Sequence, residues 1–262
     1  MKKISYNILI LFVLTVLFTS CETTNLELQD NPTALTPDSA NPDYIFNSML
    51  LSLSSQHMAL SSMSAPLVRH VNMFGTYNNN VSVSSMNSSW IATYSLMNNL
   101  KLLEQISEEK DLAHHVGVAK ILNAFMLVNL VDYMGVATYS EAVNTDFPMP
   151  GLDTGESIYA EMYLLIDEGI ALLNQTASYT HNDGFYQGDL VKWKKLANSL
   201  KIKMLVQSRK ANGFDVVSAS NEINQIVSSG MYLQDMSDDL EIKFGNNETN
   251  PDTRHPNFVS NM

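Results

Sequence analysis

A long apolar stretch near the middle of the chain is the feature that most constrains the fold. Leu112 to Val131 carries apolar side chains on nearly every face of a helix, whereas a surface helix shows a single apolar stripe. Lys120, Asn123 and Asn129 interrupt the stretch, so we interpret it as a buried helix and not as a membrane span. A chain with such a helix must surround it with other elements.

Further helices are predicted on both sides of this buried helix. Asn41-Pro42 is a capping side chain followed by proline at the first helical position, and Asp153 to Glu156 has the pattern of another helix start. Apolar residues recur at helical spacing in segments that begin at Ile45, Trp90, Ile158, Trp193 and Ala219.

The spacing of apolar residues also predicts how this region ends and to which fold class it belongs. Leu240, Ile242 and Phe244 alternate with polar residues, which predicts a short strand over Asp239 to Gly245. Helices in adjacent pairs, joined by loops of variable length, are typical of a solenoid. The predicted fold class is therefore all-α, an α-solenoid of tetratricopeptide-like helix pairs with loops and a short C-terminal strand.

The N-terminus has the pattern of an exported lipoprotein. Lys2 and Lys3 precede a short apolar run, Ile8 to Phe18, which is too short to span a membrane comfortably. Cys21 is the only cysteine and follows this segment as in a lipobox, where the thiol is acylated. The alternative is an ordinary signal peptide with an incidental cysteine. We predict a signal peptide at residues 1–20 and an acylated tether at residues 21–41.

Positive charge is concentrated between Gln187 and Lys210, although the chain as a whole has a net charge of −12. We interpret the basic residues as the solvated side of an amphipathic helix, some of them paired with Asp167 and Glu168 of a neighbouring helix. A groove for nucleic acid needs clustered charge and accessible aromatic rings, and an acidic chain repels phosphate, so no nucleic-acid partner is predicted. The opposite, apolar face consists of Trp193, Leu196, Ala197, Leu200 and Met204.

Two segments resemble motifs of the SusD/RagB family of outer-membrane lipoproteins. Asp189 to Lys201 is similar to that family's "GD..KW.K.ANSL" stretch, and Tyr133 to Ala142, YMGVATYSEA, is similar to its "YGDVPYSEA" turn. Val136 and Thr138 depart from the Asp and Pro that the family often has there. The resemblance covers roughly residues 21–245, which we assign to a SusD-like helical-repeat domain from residue 42. Family members are usually about twice as long, so we expect residues 246–262 to be the truncated start of a second half.

The resemblance implies a surface-exposed binder with no catalytic activity. Such proteins are lipid-anchored in the outer membrane, bind glycans or other nutrients, and cap a SusC-type TonB-dependent channel. Aromatic platforms and planar amides are the groups expected to bind a sugar, with helix packing or a solvated loop as the alternative for each residue. The candidate ligand-binding residues are Phe74, Tyr77, Asn78, Asn79, Asn80, Trp90, Tyr179, Phe185 and Tyr186.

Signatures of enzymes and metal sites are mostly missing from the sequence. His114-His115 has no second ligand at metal spacing, and we expect no metal and no cofactor. Two other classes of function stay open. One is an exported all-helical glycoside hydrolase or lyase, which would need two acids converging across a cleft. The other is a helical-repeat scaffold lipoprotein that binds only proteins.

Overall fold

The computed structural model describes residues 41–72, 83–179, 181–250 and 252–254, without the side chains of Val83, Ser85 and Glu109. The predicted signal peptide, nearly all of the predicted tether with Cys21, and the end of the chain from residue 255 lie outside the described residues. The same holds for five candidate ligand-binding residues: Phe74, Tyr77, Asn78, Asn79 and Asn80.

The described part of the chain is all-α, as predicted, with one very short two-stranded ladder. Val136–Ala137 (β1) pairs antiparallel with Asp153–Thr154 (β2), and single 3₁₀ turns occur at Val83–Met86 and Met236–Asp238. The six helices of the described residues are Pro42–Leu67 (α1), Asn87–Lys110 (α2), Ala113–Met134 (α3), Gly155–Leu173 (α4), Leu190–Ser208 (α5) and Val216–Ser229 (α6).

Helix α3 forms the centre of the core, as its apolar sequence predicts. Its length and composition would suit a membrane span, but 72% of its most apolar window is buried within the protein. It packs most extensively on α4, and α1 packs in the same way on α2. Because neighbours along the chain are neighbours in space, the helices form a solenoid-like array.

Side-chain caps define where most of these helices begin. The Asn41 side chain accepts from the backbone N–H of Asp43 at 2.9 Å, with Pro42 at the first helical position as predicted. Thr154, and not Asp153, caps α4 by accepting from Ser157 N–H. Asp189 and Asp215 cap α5 and α6 in the same manner. The Asp153 side chain therefore does not cap α4 and instead accepts hydrogen bonds from the turn before it.

Two predicted details are wrong. Residues 239–245 form no strand because no neighbouring strand within the described residues pairs with their backbone, although Leu240 and Ile242 do turn towards the helices. Lys201 is not on a solvated face: it is 6% exposed and bridges Asp167 on α4 and Glu222 on α6 at 2.8 and 2.7 Å. The predicted pairing of the basic helix with Asp167 is confirmed, whereas Glu168 pairs with Lys120 of α3 instead.

Helices α3 and α4 cross with their backbones in near contact at Gly117 and Gly169. A Cβ added at Gly169 would lie 2.8 Å from the carbonyl oxygen of Gly117, and one added at Gly117 would lie 2.9 Å from that of Gly169. Gly169→Ala should therefore lower the free energy of unfolding by about 1–3 kcal/mol, the usual cost of overpacking. Chemical denaturation measures this. Gly184→Ala is the matched control, since a Cβ there meets nothing within 4 Å, and an equal loss in both variants would contradict the close crossing.

Candidate functional site

One face of α2 is open to solvent and lines two shallow clefts that meet. The opposite face buries Leu96, Leu100, Leu103 and Ile106 in the core. The open face carries aromatic and polar side chains at helical spacing, so they form one stripe along the helix. The stripe consists of Trp90, Tyr94, Asn98, Lys101 and Gln105.

An aromatic pair forms the first part of this face. The rings of Trp90 and Tyr94 lie 4.9 Å apart between centroids at an interplanar angle of 41°. Both are half-buried against the core, and both line the first cleft, which has a volume of about 480 Å³. Ile91, 64% exposed, stands beside them. The pair presents a rigid, partly apolar surface at the helix start.

The hydroxyl of Tyr94 fixes this pair to the turn that follows α3. It donates to the carbonyl oxygen of Thr138 at 2.7 Å and accepts from the Thr138 N–H at 2.9 Å. Burial raises the pKa of Tyr94 and outweighs the opposite effect of the Thr138 hydrogen bonds, so the hydroxyl stays protonated at neutral pH. The ring therefore has one orientation, set by two backbone hydrogen bonds.

The turn from Tyr139 to Thr145 forms the wall opposite α2. Asp153, released from helix capping, accepts from the N–H groups of Tyr139 and Ser140 and from the Ser140 hydroxyl at 2.8–2.9 Å. Lys101 Nζ donates to the carbonyl oxygen of Val143 at 2.6 Å. Val143 has a φ of 52°, a left-handed conformation that is costly for a β-branched residue. Several hydrogen bonds thus hold the wall in place and maintain the strained conformation of Val143.

Amide side chains dominate the second cleft, which has a volume of about 350 Å³ and shares Asn98 with the first. The side chains of Asn98 and Gln105 are exposed and form no hydrogen bond with other described residues. Asn144 lies across from them on the turn. Free amides that follow an aromatic pair can hydrogen-bond a polar ligand while its apolar face packs on the rings.

The other candidate residues that the structure describes, Tyr179, Phe185 and Tyr186, do not join Trp90. Tyr179 is 49% exposed and lies beside the His115 ring, 6.2 Å between centroids. Phe185 packs against the core and lines a separate apolar cleft. Tyr186 does not have the exposed ring expected of a ligand-binding residue. It is 5% exposed, and its hydroxyl donates to the carbonyl oxygen of Asp238 at 2.7 Å, so no face is left for a ligand.

Two of the three buried histidines of the described residues, His115 and His181, each lie beside an aspartate. His115 Nε2 lies 2.9 Å from Asp43 Oδ1, and His181 Nδ1 lies 3.1 Å from Asp183 Oδ2 without the geometry of a hydrogen bond. Burial lowers the pKa of His115 and outweighs the opposite effect of Asp43. Among the residues that the structure describes, no group of three or more histidine, cysteine or acidic side chains could hold a metal ion.

Two other clefts have less suitable linings. The cleft of about 700 Å³ at the ends of α3 and α5 contains Tyr159 and Gln207, but both are already hydrogen-bonded to Asp132. The cleft of about 440 Å³ between α1, α3 and α5 is mostly apolar and includes Phe125, Phe185 and Phe244. In neither of these clefts do amide side chains without a hydrogen-bond partner lie beside an accessible aromatic pair, as they do on the open face of α2.

Trp90 is the one residue of this stripe among the ligand-binding candidates predicted from the sequence. Tyr94, Asn98, Lys101 and Gln105 were not among those candidates. The signal was present, because an aromatic pair four residues apart is followed by polar residues on the same helical face. Asn144 could not be found this way, since only the folded turn brings it across from α2.

Comparisons with known proteins place this fold in a family. A family model named SusD-like and described as "Starch-binding associating with outer membrane" matches residues 32–259. A SusD/RagB family protein from Bacteroides thetaiotaomicron is 22% identical with a TM-score of 0.62, covering 81% of this chain and 47% of the other. A SusD homologue from Bacteroides uniformis is 21% identical with a TM-score of 0.63, covering 78% and 46%.

A chitin-binding protein is also similar in fold, at 24% identity and a TM-score of 0.60, covering 76% of this chain and 45% of the other. No protein with a curated function matches the sequence. The chain spans a little under half of the length of the solved structures that it resembles. Since the family match extends over most of the sequence, the chain belongs to the SusD-like family, described as starch-binding and associated with the outer membrane.

Proposed function

We propose that the open face of α2 binds glycans without cleaving them. The observation that carries this proposal is the Trp90–Tyr94 pair followed by the free amides of Asn98 and Gln105. Sugar rings have one apolar face, which packs on aromatic side chains, and hydroxyls at their edge, which hydrogen-bond to planar amides. The family description as starch-binding agrees with this ligand class.

The lining of the two clefts supports binding over hydrolysis. Glycoside hydrolysis needs two carboxyl groups on either side of the scissile bond. The residues that line these two clefts, within the described part of the chain, include no aspartate or glutamate. Within these two clefts, a glycan held on Trp90 and Tyr94 would therefore have no acid and base beside its linkages.

The location and partner of this binder are further parts of the proposal. We infer that the signal peptide is removed, that Cys21 is acylated, and that the helical-repeat domain from residue 42 to 245 faces outwards on an outer-membrane tether. The helix pairs would be tetratricopeptide-like repeats, and residues 246–262 would lead into a second half. The bound glycan would pass to a SusC-type TonB-dependent channel. The lipobox pattern and the family description as associated with the outer membrane support these inferences.

Trp90→Ala should weaken glycan binding at least tenfold, or about 1.4 kcal/mol, because it removes the central stacking surface. Isothermal titration with linear gluco- and chito-oligosaccharides measures this. We expect Kd on the order of 1 mM for the unchanged chain, since a shallow cleft encloses little of a sugar. Asn98→Ala should also weaken binding, and this exposed change leaves the core intact.

Tyr44→Ala is the control, because Tyr44 is an aromatic residue with 78% exposure on α1, outside both clefts. The affinity of the Tyr44→Ala variant for the oligosaccharides should equal that of the unchanged chain. Unaltered binding by Trp90→Ala and Asn98→Ala would place the site elsewhere. Release of new reducing ends during the titration would favour the hydrolase alternative.

A further inference from the structure

The groove along α2 does not stop at the second cleft but continues into a polar pocket between α2, α3 and the turn. This pocket has a volume of about 330 Å³ and shares Lys101, Val143 and Asn144 with the second cleft. From Trp90 to Gln105 the helix rises about 22 Å, at about 1.5 Å per residue. The three clefts therefore follow one another along a groove that is longer than a disaccharide and begins at the aromatic pair, with the exposed Lys101–Val143 hydrogen bond at the junction of the second cleft and the pocket.

An ion-paired bridge closes the far end of this groove. Lys120 on α3 lies 2.9 Å from Glu104 on α2 and 3.0 Å from Glu168 on α4. Burial lowers the pKa of Lys120, but hydrogen bonds and attraction from the two carboxylates outweigh it and hold the pKa above its ordinary value. The ammonium is thus permanently charged, and the bridge joins three helices across the path that a longer chain would need.

The charges around the pocket do not favour an anion. Lys101 and Lys120 contribute two positive charges, while Glu104, Glu168 and Glu161, all of which act on Tyr139, contribute three negative ones. A phosphate or an acidic sugar would gain no net attraction here. The lining favours a neutral ligand that can both donate and accept hydrogen bonds.

Two side chains in the pocket have hydrogen-bonding capacity that the described residues do not use. Asn123 is 3% exposed, and its Oδ1 has no partner there, which is costly for a buried acceptor. Tyr139 lines the same pocket, and its hydroxyl makes no hydrogen bond with a described residue. Burial raises the pKa of Tyr139, so this hydroxyl remains a donor at neutral pH. A compact ligand rich in hydroxyl groups would satisfy both.

We propose that this pocket, lined by Lys120, Asn123 and Tyr139, holds the terminal residue of a neutral oligosaccharide whose inner residues lie on Trp90 and Tyr94. The proposal rests on the function proposed above and adds two properties to it. The site recognises a chain end, because the bridge blocks the groove beyond the pocket. It also prefers chains long enough to reach from the aromatic pair to the pocket.

Calorimetric titration of the whole chain with maltose, maltohexaose and α-cyclodextrin tests this. Cyclodextrin is a ring of the same glucose units and has no terminal residue. We expect maltohexaose to bind about tenfold more tightly than maltose, and Tyr139→Phe to remove most of this gain. The same variant should leave the affinity for cyclodextrin unchanged. Tyr44→Phe, at an exposed tyrosine outside the groove, should change none of the affinities.

The outcomes separate this inference from the function on which it rests. Trp90-dependent binding of maltohexaose with no effect of Tyr139→Phe would overturn the end pocket and leave the glycan-binding face intact. An equal loss for cyclodextrin and maltohexaose would likewise overturn the recognition of a chain end. If none of the three sugars binds, both proposals fail together.

Discussion

Replacing Trp193 with alanine should lower the free energy of unfolding by about 3–5 kcal/mol, the range for large core truncations. Trp193 is fully buried, and its ring meets that of Tyr186 edge-on at 5.0 Å between centroids. The variant therefore loses packing on every side. Urea denaturation followed by circular dichroism measures the change.

Lys194→Ala on the adjacent, solvated side of α5 is the control, and its free energy of unfolding should stay within about 0.5 kcal/mol of that of the unchanged chain. The reverse order would contradict the packing of α5.

Asp183→Ala should be about as costly, at about 3–5 kcal/mol, because it removes the one acceptor of a buried network. The Asp183 carboxylate accepts from Trp193 Nε1 at 3.2 Å and from four successive backbone N–H groups in the turn that leads to α5. These donors belong to Phe185, Tyr186, Gln187 and Gly188. Without the carboxylate, buried donors are left without a partner.

The pH dependence gives the Asp183 prediction a second readout. Burial raises the pKa of Asp183, but the nearby His181 and hydrogen bonds from Gly188, Tyr186 and Trp193 outweigh it, so the pKa lies below its ordinary value. A depressed pKa in the folded state contributes stability that is complete above about pH 4 and is lost as the pH falls further. The difference between the unchanged chain and Asp183→Ala should therefore shrink in acid. A difference that is independent of pH would contradict an ionised, hydrogen-bonded carboxylate.

Much of the fold could be predicted because apolar periodicity reflects burial directly. The all-round apolar character of α3 predicted its central place, and Asn41-Pro42 predicted the start of α1. The prediction failed where long-range partners decide the outcome. An alternating pattern at residues 239–245 makes a strand only beside another strand, and Lys201 is buried because acids from two other helices meet it.

The candidate site was less predictable than the fold for the same reason. Trp90 is visible in the sequence, but its role depends on the turn after β1, which reaches back to fix Tyr94 through Thr138. Tyr186 and Trp90 look alike in sequence as aromatic residues at a loop end. Only the structure separates them, since Asp238 and Trp193 enclose Tyr186 while Trp90 keeps one side towards a cleft.

The most direct test of the glycan-binding face uses the only two tryptophans of the chain, Trp90 and Trp193. Each gives one indole N–H signal in a ¹H–¹⁵N NMR spectrum, and Trp90→Phe identifies which is which. Trp193 serves as an internal control because its indole is buried and donates to Asp183. On addition of maltohexaose, the Trp90 signal should shift progressively to saturation while the Trp193 signal stays in place. An unmoved Trp90 signal, or a shift confined to Trp193, would contradict a glycan site on α2.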